Sequence, residues 1–378
     1  MAIEYLEIRD TSTEIVDIID TAKSIIWHAK YFGVGDFEIY AHATPEIIEL
    51  LQAGFLVTRP DDLEVGVIET LDISENPQDG MMVTAAGRFA KSILDRRLIY
   101  LLRGNTNSPT ILRGNVELAV RTVVSDNAIR CPHDSARNIP LLAMGERAGI
   151  PLEIVDADDD EAQKQATARN LLEYTDEVLE EYGLASMCYL DTDAKKLRYV
   201  VYSGVDRSAE NDEGNDPIIF SKEFDNLGSS SYQLDATTEK NFVLIGGEGE
   251  GVERFYTFVN RGQPASGLQR REMFLDASSI NKAYKDENDA EQVYSDADYQ
   301  KMLRAAGGQA LAQAVAVETF HGAIDVTNSP WQYNRDFALG DFVTIQNDDI
   351  GAFVRVRLLD VLEVQDENGY SIEANTQT

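Results

Sequence analysis

Gly246-Gly-Glu-Gly-Glu-Gly251 is the first stretch of this chain to test for chemistry, because glycine-rich loops can cradle phosphate. The lysine and hydroxyl of a Walker loop are missing, and glutamates at the turn would repel an anion. The stretch also lies between two strand-like runs, so a hairpin or bulge loop is expected. Asp156-Ala-Asp-Asp-Asp-Glu161 resembles the opening of a calcium loop, but Glu161 and Thr167 stand where an EF-hand needs glycine and a bidentate glutamate. A helix start with an acidic first turn is the expectation there, and adventitious calcium binding stays open.

Four histidines, His28, His42, His133 and His321, are scattered without a His-Glu-x-x-His pair, and Cys131-Pro-His133 is one isolated pair of ligand types. Cys131 and Cys188 cannot build a disulfide framework and form no Cys-x-x-Cys, so two reduced thiols are expected. No Gly-x-Ser-x-Gly elbow marks a nucleophile. With 66 acidic residues, paired carboxylates arise by chance and carry no information about glycosidase chemistry. Aromatics at alternate strand positions, such as Phe255 near Thr257, fit one face of a sheet better than a sugar platform. The residues therefore point to no catalytic site, no cofactor and no metal.

The elements that would position these residues come mostly in short β-runs. Ser24-Ile-Ile-Trp-His-Ala-Lys-Tyr-Phe32 and Asp36-Phe-Glu-Ile-Tyr-Ala-His42 read as a hairpin around Gly33-Val-Gly35. Gly54–Arg59 and Glu64–Leu71 follow, parted by the turn Pro60-Asp61-Asp62, and Met81–Ala85 is a further strand. Apolar spacing at Phe89, Ile93 and Leu94 predicts a helix over Arg88–Arg97. Val116–Val124 reads as a helix, and a second is predicted from near Asp158 to Tyr182, ending at Gly183. Strands return at Ala185–Leu190, Lys196–Tyr202, Glu239–Ile245 and Glu253–Val259. Ser295 caps a predicted helix through Tyr299, Leu303 and Leu311, which Gly307-Gly308 should loosen. Asp341–Ile345 and Phe353–Val361 close the chain as strands, and Asp206–Asp216 reads as an exposed loop.

Composition narrows the classes. At 43% hydrophobic and 26% charged, 378 residues hold enough apolar material for two or three cored domains. No run approaches the roughly 18 apolar residues of a membrane span. The start lacks the basic-then-apolar layout of a signal peptide, so assembly in a cytoplasm is expected. A formal charge of −33 disfavours sequence-specific nucleic-acid binding. It fits either a solvated surface or the lining of a passage through which DNA slides without sticking. Arginine outnumbers lysine 22 to 11, which favours fixed pairing with carboxylates.

An ordered string of local patterns then resembles the siphovirus ReqiPepy-type tail protein family, related in turn to hub proteins of phage baseplates and tail tips. Its pieces are Phe32-Gly-Val-Gly-Asp-Phe-Glu38, Gly66-Val-Ile-Glu69, Gly87 through Arg96-Arg97, Arg137-Asn-Ile-Pro140, Ser203-Gly-Val-Asp-Arg207, Ile219-Phe-Ser221, Asn226-Leu227, Gly246–Gly251 with Arg254, Arg270–Ala277, and Asp336 with Leu339-Gly-Asp-Phe-Val343. The acidic excess, the loop Ala209–Asp216 and Phe274–Ser279 depart from the pattern.

The resemblance implies a non-enzymatic homo-oligomer, a trimer, in the tail tip of the virion. Its partners would be a distal tail ring protein on one side and the tape-measure protein or receptor-binding fibres on the other, with a lumen that DNA could cross. It implies an α+β, β-rich fold with barrel-like hub domains and an inserted helical or mixed region. The expected layout is a barrel-like domain over 1–110 completed by 325–378, a mainly helical region over 111–184, a second β-rich domain over 185–290, and a linking helix over 291–324. Hub relatives often carry a C-terminal peptidoglycan-cutting domain, and none is expected between the last strand and Thr378. Arg96, Arg97, Asp206, Arg207, Arg254, Arg270, Arg271, Asp276, Gly340 and Asp341 would be ion-pair or interface residues, with exposed arginines on an acidic protein as the open alternative. A receptor- or glycan-binding tail protein and a tail-associated cell-wall hydrolase are the rival functions.

Overall fold

The structure, a computed structural model, describes residues 3–100, 110–132, 134–154, 164–166, 168–285, 291–324, 329–349 and 351–377. It divides into two compact units. Met1–Ile154, Lys164–Tyr232 and Thr319–Thr378 make the first, and Gln233–Glu318 supplies the described part of the second.

The first unit is built on a sheet of thirteen strands. Along it lie, in spatial order, Leu227–Asp235, Val317–Ile324, Gly369–Gln377, Ala352–Asp366, Ser24–Lys30, Asp36–His42, Gly80–Phe89, Val65–Asn76, Leu56–Thr58, Leu6–Arg9 and Ile15–Ile19. Ile219–Ser221 joins from the side, parallel to Phe342–Asn347, which runs antiparallel to Ala352–Asp366. Residues from both ends of the chain are thus neighbours at the centre, where Glu363 faces Trp27 and Val361 faces Ala29. Strict alternation explains these central strands. Ile25, Trp27 and Ala29 on one strand and Phe37, Ile39 and Ala41 on the next point inward, because successive strand side chains alternate faces. Trp27 packs 4.7 Å from Phe89 and 5.8 Å from Phe37, ring to ring.

The class is α+β and β-rich, as expected, with a large sheet in which no closed barrel is found among the described residues. Ile15–Ile19 and Leu227–Asp235 are its ends, and no pairing among the described residues joins them. Bulges between Ile68 and Thr70 and between Leu358 and Asp360 bend it locally. At the first of these only glycine fits opposite, since a Cβ on Gly87 would lie 1.9 Å from the Val67 carbonyl oxygen.

Beside this sheet, Ala185–Asp191 and Lys196–Tyr202 form a hairpin extended in parallel by Leu142–Met144. The helices Val116–Val124 and Leu171–Glu181 pack on it. The second helix starts later than its acidic run suggested. Asn170 accepts from the Leu172 and Glu173 amides at 2.9 and 3.2 Å, which sets the cap there, while Lys164–Gln165 pair with Ile111–Leu112 as strand. The Asp156–Glu161 run lies outside the described residues. Gly183, at φ +67°, ends the helix as expected, and Leu184 bonds back to the Leu179 carbonyl. The helix predicted over Arg88–Arg97 is instead the end of a strand and a 3-10 segment, Ala90–Arg96, because Phe89 is drawn into the sheet against Trp27.

In the second unit, Phe242–Gly246 pairs antiparallel with Tyr256–Asn260 and parallel with Glu272–Asp276. Helix Asp296–Gln313 lays Tyr299, Leu303 and Leu311 against Val243 and Ile245. Gly307 does not loosen it. A Cβ there would sit 2.4 Å from the Ile245 side chain, so glycine lets the helix approach the sheet, and the helix runs through unbroken. Among the described residues no helix is long and apolar enough to cross a membrane.

Candidate functional site

The positions picked out in the sequence gather in three places. In the first unit, Gly204–Arg207 runs beside Gly340–Phe342. The Phe342 amide donates to the Val205 carbonyl at 2.9 Å, and the Arg207 amide donates to the Phe342 carbonyl at 2.8 Å. Asp341, 3% exposed, binds this crossing together. Its carboxylate accepts from the Val205 amide at 2.7 Å, the Ala338 amide at 3.0 Å and Arg207 Nε at 3.1 Å. Asp206 accepts from the Ser208 amide at 2.9 Å and from Arg355 Nη2 at 2.9 Å. Burial alone would raise the Asp206 pKa, but the Ser208 amide and the Arg355 guanidinium outweigh it and hold the carboxyl below its usual range. Arg355 and Arg357 both lie over the Phe342 ring, at 3.5 and 4.3 Å.

Gly340, at φ +90°, sits against the fully buried Tyr31 ring. Tyr31 donates its hydroxyl to the Gly183 carbonyl at 2.9 Å, and Arg357 Nη1 donates to the same oxygen at 3.0 Å. The helix end at Gly183 is thereby tied to this crossing.

In the second unit, Arg254 closes the glycine loop. It donates to the Gly247 carbonyl at 3.0 Å and the Gly246 carbonyl at 2.9 Å, and pairs with Asp276. The Ser278 hydroxyl, then the Ser278 amide and Arg254, hold the Asp276 carboxyl below its usual range. Tyr299 accepts from the Glu248 amide at 2.7 Å. The loop is a hairpin connection, as expected, with its inner face filled by protein. Arg270 lies 3.8 Å over Phe242 beside Glu272, and Arg271 donates to Glu239 at 2.7 Å. Third, Arg96 ends the 3-10 segment exposed, and Arg97 donates to the Arg137 carbonyl at 2.7 Å.

Chemically these groups clamp backbone. Asp206, Asp276 and Asp341 are each engaged by a guanidinium and by amides, which leaves no activated base or nucleophile there. Cys131 and Cys188 are both buried free thiols, and burial pushes Cys131 up from its ordinary value. His28 lies 3.5 Å from both Asp36 and Asp360, while His133 lies outside the described residues. Among the described residues no three His, Cys, Asp or Glu side chains gather as metal ligands would.

One cluster was not singled out in the sequence. Arg59, 4% exposed, donates to both oxygens of Glu363, 2% exposed, at 2.9 and 3.1 Å, and to Asp61. Tyr370 donates to the same Glu363 carboxylate, and Trp27 Nε1 donates to Asp62 at 2.9 Å. Burial would lower the Arg59 pKa, yet Asp61 and Glu363 outweigh it and raise it. The only local signal was Arg59 next to two aspartates, which read as a turn.

The model of the family described as Siphovirus ReqiPepy6 Gp37-like protein matches residues 5–376. The fold is similar to that of the tail protein from Neisseria meningitidis MC58, with TM-score 0.59, 12% identity and coverage of 99% of this chain and 96% of that one. It is also similar to the 43 kDa tail protein of prophage MuSo2 from Shewanella oneidensis, with TM-score 0.58, 11% identity and coverage of 99% and 98%. For the prophage tail protein gp18 from Listeria monocytogenes EGD-e the TM-score is 0.53 at 11% identity, covering 99% and 94%. Comparison with curated proteins finds no match.

Proposed function

The chain belongs to the Siphovirus ReqiPepy6 Gp37-like protein family of phage tail proteins, and from that premise we propose that it is a structural hub subunit of the siphophage tail tip. In this role it forms a ring, a trimer, that joins the tail tube to the adsorption apparatus and performs no catalysis. A distal tail ring protein lies on one side, and the tape-measure protein or receptor-binding fibres lie on the other.

One observation carries the assembly part of this reading. The sheet ends on Ile15–Ile19, where Ile15, Val16 and Ile18 are 50%, 51% and 46% exposed. An apolar edge strand left bare is a template for uncontrolled pairing, and natural proteins cover such edges. A ring of identical copies covers it once per subunit and stops there. The charge of −33 supports a lumen that DNA crosses without binding. The carboxylates of the family positions, all engaged in clamping backbone, support a scaffold role and not a reaction.

Light scattering coupled to size exclusion tests this. The wild-type chain is expected to elute as a closed oligomer at tens of micromolar. Val16→Lys with Ile18→Lys should shift it to monomer while leaving its melting temperature within a few degrees, since both side chains are exposed in one copy. A wild-type chain that stays monomeric throughout contradicts the proposal.

A further inference from the structure

A cavity of about 600 Å³ opens in the first unit between the loop Pro60–Glu64, the segment Tyr202–Val205 and residues around Tyr333 and Leu339. That volume suits a ligand larger than one side chain. Its walls combine apolar and aromatic groups with Asp61, Asp62, Glu64 and Asp341, and no lysine, arginine or histidine is among its described lining residues.

Two of these carboxylates are already compensated, Asp61 by Arg59 at 2.8 Å and Asp341 by Arg207 at 3.1 Å. Among the described residues no cation is bonded to Asp62 or Glu64. Among the described residues Asp62 accepts from neutral donors, Trp27 Nε1 and the Glu64 amide, both at 2.9 Å. Glu64 Oε2 is buried and has no hydrogen-bond partner among the described residues. Lys91, which acts on Glu64 from the 3-10 segment, is itself bonded to Asp176 at 3.0 Å, and Arg59 is committed to Asp61 and Glu363. The cavity therefore holds two carboxyl groups with no cation bonded to either among the described residues, against walls that fit an aliphatic stem.

We propose that this cavity receives an arginine side chain, with its flanking backbone, from an extended segment of a partner protein. Charge complementarity selects a cation. Leu63 and Leu339 suit its methylenes, Tyr202 and Tyr333 suit a planar guanidinium, and the fork can bridge Asp62 and Glu64. A bare metal ion would find no ligand cluster among the described residues.

The empty cavity raises both carboxyls above their usual range and holds Glu64 as an acid at neutral pH. Burial, with Asp62 adding to it and Lys91 opposing it, pushes Glu64 to about 8. Burial, with Glu363 adding and Arg59 opposing, pushes Asp62 to about 6. The groups facing them are Arg59, Asp61 and Glu363 on one side, and Lys91, Cys188, Tyr202 and Tyr333 on the others. A guanidinium entering at neutral pH thus displaces the Glu64 proton, so affinity rises with pH.

Titration calorimetry of the full chain with acetyl-Ala-Arg-Ala-amide, in two buffers of different ionisation heat, tests the site. At pH 7 binding should release close to one proton, and affinity should rise about tenfold or more from pH 6 to pH 8. Glu64→Gln should abolish the proton release and weaken binding about tenfold or more. The proton count on the wild-type chain keeps the test independent of any variant. Absence of binding, unchanged binding by Glu64→Gln, or equal binding of the norleucine peptide would each overturn the cation site. Agmatine binding as tightly as the peptide would overturn a protein segment as its occupant.

Discussion

Replacing Glu363 with alanine should lower the stability of the first unit by about 3–5 kcal/mol, the usual cost of stranding one member of a buried ion pair. Arg59 and Glu363 are almost fully buried, and their two hydrogen bonds join residues 304 positions apart. Removing the carboxylate leaves a guanidinium in the core and also takes away the acceptor of the Tyr370 hydroxyl. Both tryptophans, Trp27 and Trp331, lie in this unit, so urea unfolding followed by tryptophan emission reports on it selectively. The joint replacement Arg59→Met with Glu363→Leu should recover part of the loss, because the desolvation of two charges goes with it, while Asp61 and the Tyr370 hydroxyl still lose their partners. A Glu363→Ala midpoint indistinguishable from wild type would show that the two chain ends are not held together in this way.

Gly340→Ala should cost roughly 2–5 kcal/mol, the sum of a positive-φ penalty and an overpacked core. The backbone sits at φ +90°, and an added Cβ would lie 2.2 Å from Tyr31 Cε2. Tyr31 cannot swing away cheaply, since its hydroxyl bonds the Gly183 carbonyl and accepts from the Gly204 amide at 3.3 Å. Gly33→Ala is the control. It has φ +76° and nothing within 4 Å of the added atom, so it should cost only the backbone share, roughly 1–2 kcal/mol. Equal losses in the two variants would remove the ring contact from the explanation.

The central hairpin was legible because its inward residues, Ile25, Trp27, Ala29, Phe37, Ile39 and Ala41, repeat with the period of a strand. The cap at Gly183 and the hairpin around Gly246–Gly251 were legible for similar local reasons. The start of Leu171–Glu181 was not, because an acidic run outweighed the single Asn170 whose side chain sets the cap. Ala90–Arg96 misled because the spacing of Phe89, Ile93 and Leu94 fits a helix, while Phe89 is claimed by the sheet. At the candidate site, Asp206, Arg207 and Asp341 were picked out as positions, yet their pairing was not, since nothing local couples residues 134 apart. Glu64 was invisible for another reason. A carboxyl among 66 acidic residues becomes distinctive only when the fold buries one of its oxygens with no partner among the described residues.

Electron microscopy of assembled tails carrying an antibody label on this chain tests the hub proposal most directly. The label is expected at the distal end of the tail, in a ring of a few copies about the axis. Label absent from the particle, or spread along the whole tube, would contradict it.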